Sequence, residues 1–206
     1  MTFLKIKKSS AIPAFTLIEV VIGIAVLSAL LTAMTSLTIT SLRANQANIN
    51  QLTAYYLAQE GVESFRNMRD GNWLQNQDYN GGASFWGTAF DQEGYYTVDF
   101  RPSWDTIDPS PWELHYYGND ANALDFVLEK ADLYKVNKDS IFFYLHTVPT
   151  GYDAEVSPYS RYLILRPDPD GHEWFEVTAV VFWFERNRAQ TLEVSTELSN
   201  WRQGPL

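Results

Sequence analysis

The sequence predicts an α+β protein in which one long N-terminal helix, apolar in its first half and amphipathic in its second, packs on a C-terminal antiparallel β-sheet. Three observations predict it. An apolar run near the N-terminus contains a single charge. Helical spacing of apolar residues continues past that run to about residue 70. Strand-like segments separated by turn signals then fill the C-terminal part.

Between Ser9 and Leu42 the only charged residue is Glu19. As a helix, residues 15–42 would be about 40 Å long at 1.5 Å per residue, more than the roughly 30 Å of a bilayer's hydrocarbon core. Lys5, Lys7 and Lys8 precede the run, and the positive-inside rule then places the N-terminus in the cytoplasm. Gly23, Ser28, Thr32, Thr35 and Ser36 interrupt the apolar surface, and small residues of this kind let helices approach closely. Over residues 43–71 the pattern turns amphipathic: Tyr55, Ala58, Val62, Phe65 and Met68 or Arg69 recur at spacings of three and four. Gly71 reads as a C-cap that ends the helix near Asp70. Gly61 marks a bend or a close helix–sheet contact.

Residues 72–122 read as loop with two short strands, 95–101 and 112–117. Segments 133–136 and 141–147 flank Asn137-Lys138-Asp139, a hairpin loop. Segment 161–166 is a strand, and Asp170-Gly171 turns the chain into another at 174–186. Residues 177–184 are apolar on both faces, as in a central strand. Leu192, Val194, Thr196 and Leu198 alternate with Glu193, Ser195, Glu197 and Ser199, giving one wet face. The implied organisation is 1–14, a basic leader; 15–42, an apolar helix; 43–71, its amphipathic continuation; and 72–206, a globular β-rich part.

Composition removes several function classes. The net charge of −10 repels phosphate backbones, so no nucleic-acid partner is expected. With no cysteine there is no disulfide, thiol nucleophile or thiolate metal site. His115, His146 and His172 are widely separated, and no nucleophile-elbow, P-loop or dinucleotide-binding glycine pattern occurs. No enzymatic activity and no cofactor are expected.

A basic start followed by an apolar run suits an ordinary secretory signal peptide or a plain signal anchor equally well. Neither explains Glu19, because a carboxylate inside such a run costs about 2.5–3.5 kcal/mol on insertion scales and needs a partner. The string Ala14-Phe15-Thr16-Leu17-Ile18-Glu19-Val20 behind a lysine-bearing leader resembles the class III leader of type IV prepilins and type II secretion pseudopilins. The resemblance implies cleavage between Ala14 and Phe15 by a prepilin peptidase, N-methylation of Phe15, and an assembly role for Glu19. In that family the carboxylate is thought to pair with the new amine of a neighbouring subunit. Ala14 stands where the family usually has Gly. The further implied partners are other pilin subunits in a helical filament, the pilus assembly machinery and the cytoplasmic membrane, crossed once before export to the cell surface. The resemblance covers the first 70 residues firmly and the remainder in outline. A minor pilin, a pseudopilin of a secretion or DNA-uptake apparatus, and an adhesin or tip subunit are all compatible with it.

Two weaker features complete the reading. Asp168 and Asp170, in Asp168-Pro-Asp-Gly-His-Glu173, resemble the opening of a calcium loop but lack its later ligands; a solvated hairpin turn is the preferred reading. The aromatic residues suit a core, with Trp86, Trp104 and Trp112 in the loop-rich region as candidates for surface binding.

Overall fold

The computed structural model describes residues 16–74, 90, 92–100, 112–138, 141–168 and 174–200. The chain divides into two compact units, one up to Ala47 and one from Asn48 onward. A single helix, α1 (Leu17–Leu74), runs through 58 residues. Its N-terminal part belongs to the first unit and is exposed and apolar, long and apolar enough to cross a membrane. β-branched residues such as Val20, Val21 and Ile22 are poor helix formers in water, but an apolar medium leaves a chain little alternative, since a helix satisfies its backbone internally.

Within the second unit α1 buries Ala54, Leu57, Ala58, Gly61, Val62, Phe65 and Met68, the spacing of one helical face. The predicted stripe is thus displaced at its start: Tyr55 is 40% exposed, and Ala54 and Leu57 take the inner positions. Small residues explain the choice, because Ala54, Ala58 and Gly61 bring the helix backbone close to the sheet. A Cβ added to Gly61 would lie 3.3 Å from Leu163 Cδ2 and 3.5 Å from Ala179 Cβ, so of the two expectations for Gly61 the close contact is the one found. Gly71 does not end the helix, which continues to Leu74. Asn72 and Trp73 are buried in that last turn, and the Arg69 guanidinium lies 4.7 Å from the Trp73 ring centroid. Such burial outweighs the roughly 1 kcal/mol that glycine costs a helix.

Among the described residues seven strands follow: β1 (Gly94–Phe100), β2 (Trp112–Gly118), β3 (Asp132–Lys138), β4 (Ile141–Leu145), β5 (Asp153–Pro167), β6 (Trp174–Glu185) and β7 (Arg188–Ser199), all paired antiparallel. β5 organises the sheet. One of its sides pairs with β6, and the other pairs first with β3 and then with β1. β5 begins well before the expected residue 161. Its first residues, Asp153 to Val156, are exposed, and Pro158 interrupts the pattern that would mark the strand in the sequence. Pro158 falls where the β3–β5 register shifts, so its missing N–H costs the ladder nothing. β6 lies between β5 and β7, as its two-sided burial predicts, and β7 keeps one wet face.

A second helix, α2 (Ala121–Lys130), lies in the stretch for which no helix was expected. Asp120 caps it by accepting the Ala123 N–H at 2.7 Å, and Ala123 and Val127 are its buried residues. The β6–β7 turn is made by Arg186 and Asn187, both at positive φ, which is what a two-residue hairpin turn requires. The core lies between α1 and the sheet, where Phe65 meets Phe90 and Tyr96 edge to face and Phe90 meets Phe175.

Candidate functional site

The start of α1 carries the sequence's strongest functional signal. Thr16 stands just before the helix. Its Oγ1 accepts the Glu19 N–H at 3.3 Å, and its carbonyl accepts the N–H groups of Glu19 and Val20. Thr16-Leu-Ile-Glu19 therefore has the spacing of a capping box, with the hydroxyl at the N-cap and the carboxylate at the third helical position. Glu19 thus has a local partner for its backbone N–H in Thr16, besides any group outside its own helix, and the T-x-x-E spacing signals it. A carboxylate in a first turn also faces the positive end of the helix dipole. Ala14 and Phe15 lie outside the described residues.

Further along the apolar segment the hydroxyls turn inward on the helix itself. Ser28, Thr32, Thr35, Thr38 and Thr40 each donate to the carbonyl four residues back, at 2.8–2.9 Å. Every one of these polar groups is thus satisfied without water, which suits an apolar environment. Glu19 is the one ionisable group along this face, and it cannot be hidden in the same way.

A second polar cluster lies inside the globular unit. Arg161 on β5 is fully buried. Its Nη1 donates to the Leu57 carbonyl at 3.0 Å and to Glu60 at 3.2 Å, its Nη2 to the Val98 carbonyl at 3.1 Å, and its backbone N–H to the Ala131 carbonyl at 2.7 Å. One residue so ties α1, β1 and the approach to β3. Nearby Asp99 accepts the N–H groups of His146 and Thr147 at 2.6 and 3.0 Å. Burial pushes the Asp99 carboxyl up, against those hydrogen bonds and the Arg161 charge. Burial, with help from Arg161, pushes the His146 imidazole down to about 3, so it is neutral in the folded protein. The ring nitrogens of His146 are buried without a hydrogen bond of good geometry; the backbone of Asp132 and Lys130 opposes the shift only weakly. Nothing in the sequence pattern marked Arg161 or Asp99. A cavity of about 480 Å³, lined by Glu129, Lys130, Asp132, Tyr134, His146, Thr147 and Val148, opens on the His146 side of the cluster. The partners of Arg161 are mainly backbone groups of other elements, which makes it a fastening of the fold.

The remaining candidates are placed as follows. Asp168 is buried, and its N–H donates to the Trp174 carbonyl at 3.1 Å, closing the β5–β6 hairpin; Asp170 and His172 lie outside the described residues. Among the described residues no group of three or more His, Asp or Glu side chains is placed to hold a metal ion. Trp112 packs against the core and edge to face on Phe100, at 5.3 Å between centroids, so it is not a free surface aromatic. Trp86 and Trp104 lie outside the described residues. His115 sits beside Glu113 on β2 and is not gathered into a site.

Comparison with protein-family models, with curated proteins and with solved structures finds no match.

Proposed function

We propose that this chain is a prepilin, a structural and non-catalytic subunit of a type IV pilus or a related pseudopilus. Prepilin peptidase cuts between Ala14 and Phe15 and methylates Phe15. The apolar half of α1 then holds the subunit in the cytoplasmic membrane, with its N-terminus inside, until assembly machinery extracts it into a filament. The observation that carries this reading is the build of α1: one continuous helix, exposed and apolar at its start with a single carboxylate in the first turn, and packed on an antiparallel sheet at its end. A secretory signal peptide would need no such continuity, because it is cut away from the domain that follows.

Processing tests it. Co-expression with a prepilin peptidase is expected to shorten the chain by its leader and leave a methylated Phe15, read by mass spectrometry of the N-terminus. A mature start within or after residues 25–34 would identify an ordinary signal peptide and end the proposal.

A further inference from the structure

One end of the globular unit differs in character from the rest. Contacts between α1 and the sheet define the direction. The Tyr159 hydroxyl donates to the Asn50 carbonyl, while Arg161 meets Leu57 and Glu60, and Arg66 meets Thr196. β5 therefore runs alongside α1 in the same sense, and residues before Tyr159 lie toward the end at which the chain enters the unit. The register places two hairpins at that end. Asp153 pairs with Asn137 near the β3–β4 turn, and Tyr159 pairs with Trp183, just before the β6–β7 turn.

The two hairpins and the start of β5 between them expose large apolar side chains that the core does not use. Val156 is 73% exposed, Phe184 71%, Ile141 57% and Phe142 53%. Exposed apolar groups are ordinary when scattered, but here four share one end. The charge there is also distinctive. Acidic residues outnumber basic ones 25 to 15 in the chain, whereas at this end Lys135, Arg186 and Arg188 match Asp153, Glu155 and Glu185 in number. Lys135 lies over the Phe142 ring at 4.1 Å. Elsewhere carboxylates dominate, as on α2 and the wet face of β7.

We propose that this end of the unit rests on the headgroup region of an anionic bilayer, with Phe184 and Phe142 dipping into the interface. The proposal rests on the membrane-anchor part of the reading above. Leu42, the last residue of the uncharged apolar run after Glu19, precedes Asn50 by only eight residues, at most about 29 Å of chain. The anchor thus confines this end near the lipid surface. An acidic body is repelled by anionic headgroups within a Debye length of about 10 Å, so only the charge-balanced end can approach. Once there, Arg186 and Arg188 meet phosphate oxygens, and exposed aromatic rings settle at the headgroup level.

The absence of cysteine makes the test clean. The full chain, carrying Phe184→Cys and an environment-sensitive fluorophore, is reconstituted in mixed phosphatidylglycerol–phosphatidylcholine vesicles; Ser199→Cys, on the opposite end of β7, is the control. The label at position 184 is expected to shift to the blue relative to detergent micelles, and lipids spin-labelled at the headgroup are expected to quench it several-fold more than the label at 199. Adding Arg186→Glu and Arg188→Glu to the labelled chain is expected to remove at least half of that quenching, with circular dichroism unchanged. If the chain floats with the vesicles and the label at 184 stays as wet as that at 199, the proposal is overturned while the anchor stands. Undiminished quenching in the charge-reversed chain overturns it too. A chain that does not float with vesicles overturns the anchor and this proposal together.

Discussion

Arg161→Ala is the substitution with the largest expected effect on the globular unit. The guanidinium is fully buried and reaches the Leu57 and Val98 carbonyls and Glu60. Its removal leaves the Val98 carbonyl without this donor, deprives buried Asp99 of a nearby positive charge, and opens a cavity under Gly61. Breaking a buried charged cluster by removing one partner costs about 3–5 kcal/mol. Arg161→Met separates the contributions, because it refills the space without the charge. Glu60 is exposed enough to return to water, and Asp99 keeps its two backbone donors, so about 1–3 kcal/mol is expected for Met, mainly the lost hydrogen bonds. The assay is urea denaturation of the chain from Ala44 onward, followed by far-ultraviolet circular dichroism, with the slope checked for constancy. An Arg161→Ala loss below about 1 kcal/mol would refute the fastening role. Equal losses for Ala and Met would show that packing under Gly61 contributes nothing.

The other predictions concern separate parts of the chain. The segment from Ala44 onward is expected to be soluble, monomeric and folded, since it omits the exposed apolar helix; sedimentation and circular dichroism check this, and precipitation or an unfolded spectrum would refute the boundary. His146 makes the unit acid-sensitive. Its pKa in the folded state lies below its value of about 6.5 in the unfolded chain, so its contribution is intact above pH 6.5 and is lost as pH falls toward 3, by about 3 kcal/mol at pH 4. Asp99, shifted upward, returns part of this at the acid end, and denaturation midpoints of wild type and His146→Leu between pH 7 and 4 should converge as wild type weakens. Gly61→Leu is expected to cost about 1–3 kcal/mol or more by overpacking against Leu163 and Ala179, while Gly61→Ala, which gains helix propensity, should lie within about 1 kcal/mol of wild type by the same denaturation assay. Under the prepilin reading, Glu19→Ala and Glu19→Gln should both be cleaved normally and both fail to enter sheared surface filaments; recovery equal to wild type would remove the assembly role.

The helix and the strands with one wet face were legible because their periodicity lies in the sequence itself. Leu192, Val194, Thr196 and Leu198 announce β7 without any knowledge of its neighbours, and 177–184 announces a strand covered on both sides. What was not legible depends on partners distant in sequence. The start of β5 is exposed and followed by Pro158, and it becomes a strand only because β3 pairs with it. Tyr55 has the right spacing for the buried face, but Ala54 and Leu57 win it because the sheet approaches closely there. Gly71 has the right chemistry for a stop, yet the burial of Trp73 carries the helix past it. α2 was the avoidable omission, since Asp120 followed by Ala123, Leu124 and Val127 carries both the cap and the spacing. Arg161 and Asp99 could not have been found from the sequence: an arginine in a strand is ordinary until the fold removes it from water.

Glu19 shows how a local cause and, under the prepilin reading, an intermolecular one combine. The sequence gives the carboxylate two neighbours, the Thr16 cap before it and the apolar surface after it. Its position in the first turn of α1 sets it against the helix dipole, an interaction worth roughly 0.3–1 kcal/mol. Burial in an apolar medium costs about 2.5–3.5 kcal/mol. Capping therefore offsets a minor part of the cost, and about 2 kcal/mol remains to be met from outside the helix. Ser28, Thr32, Thr35, Thr38 and Thr40 leave no such deficit, because each donates its hydroxyl hydrogen to a carbonyl of its own helix. The unmet part favours any arrangement that brings a positive group to Glu19. In the proposed mature protein the amine released at Phe15 is such a group, but its own subunit's Glu19 is only four residues further along the chain, so an intramolecular pair competes with one between subunits. Gln keeps the side-chain length of a capping box and loses the charge, whereas Ala loses both. A shared assembly defect with greater helix fraying in the Ala variant alone would separate the two contributions, because fraying reports the cap and assembly reports the charge.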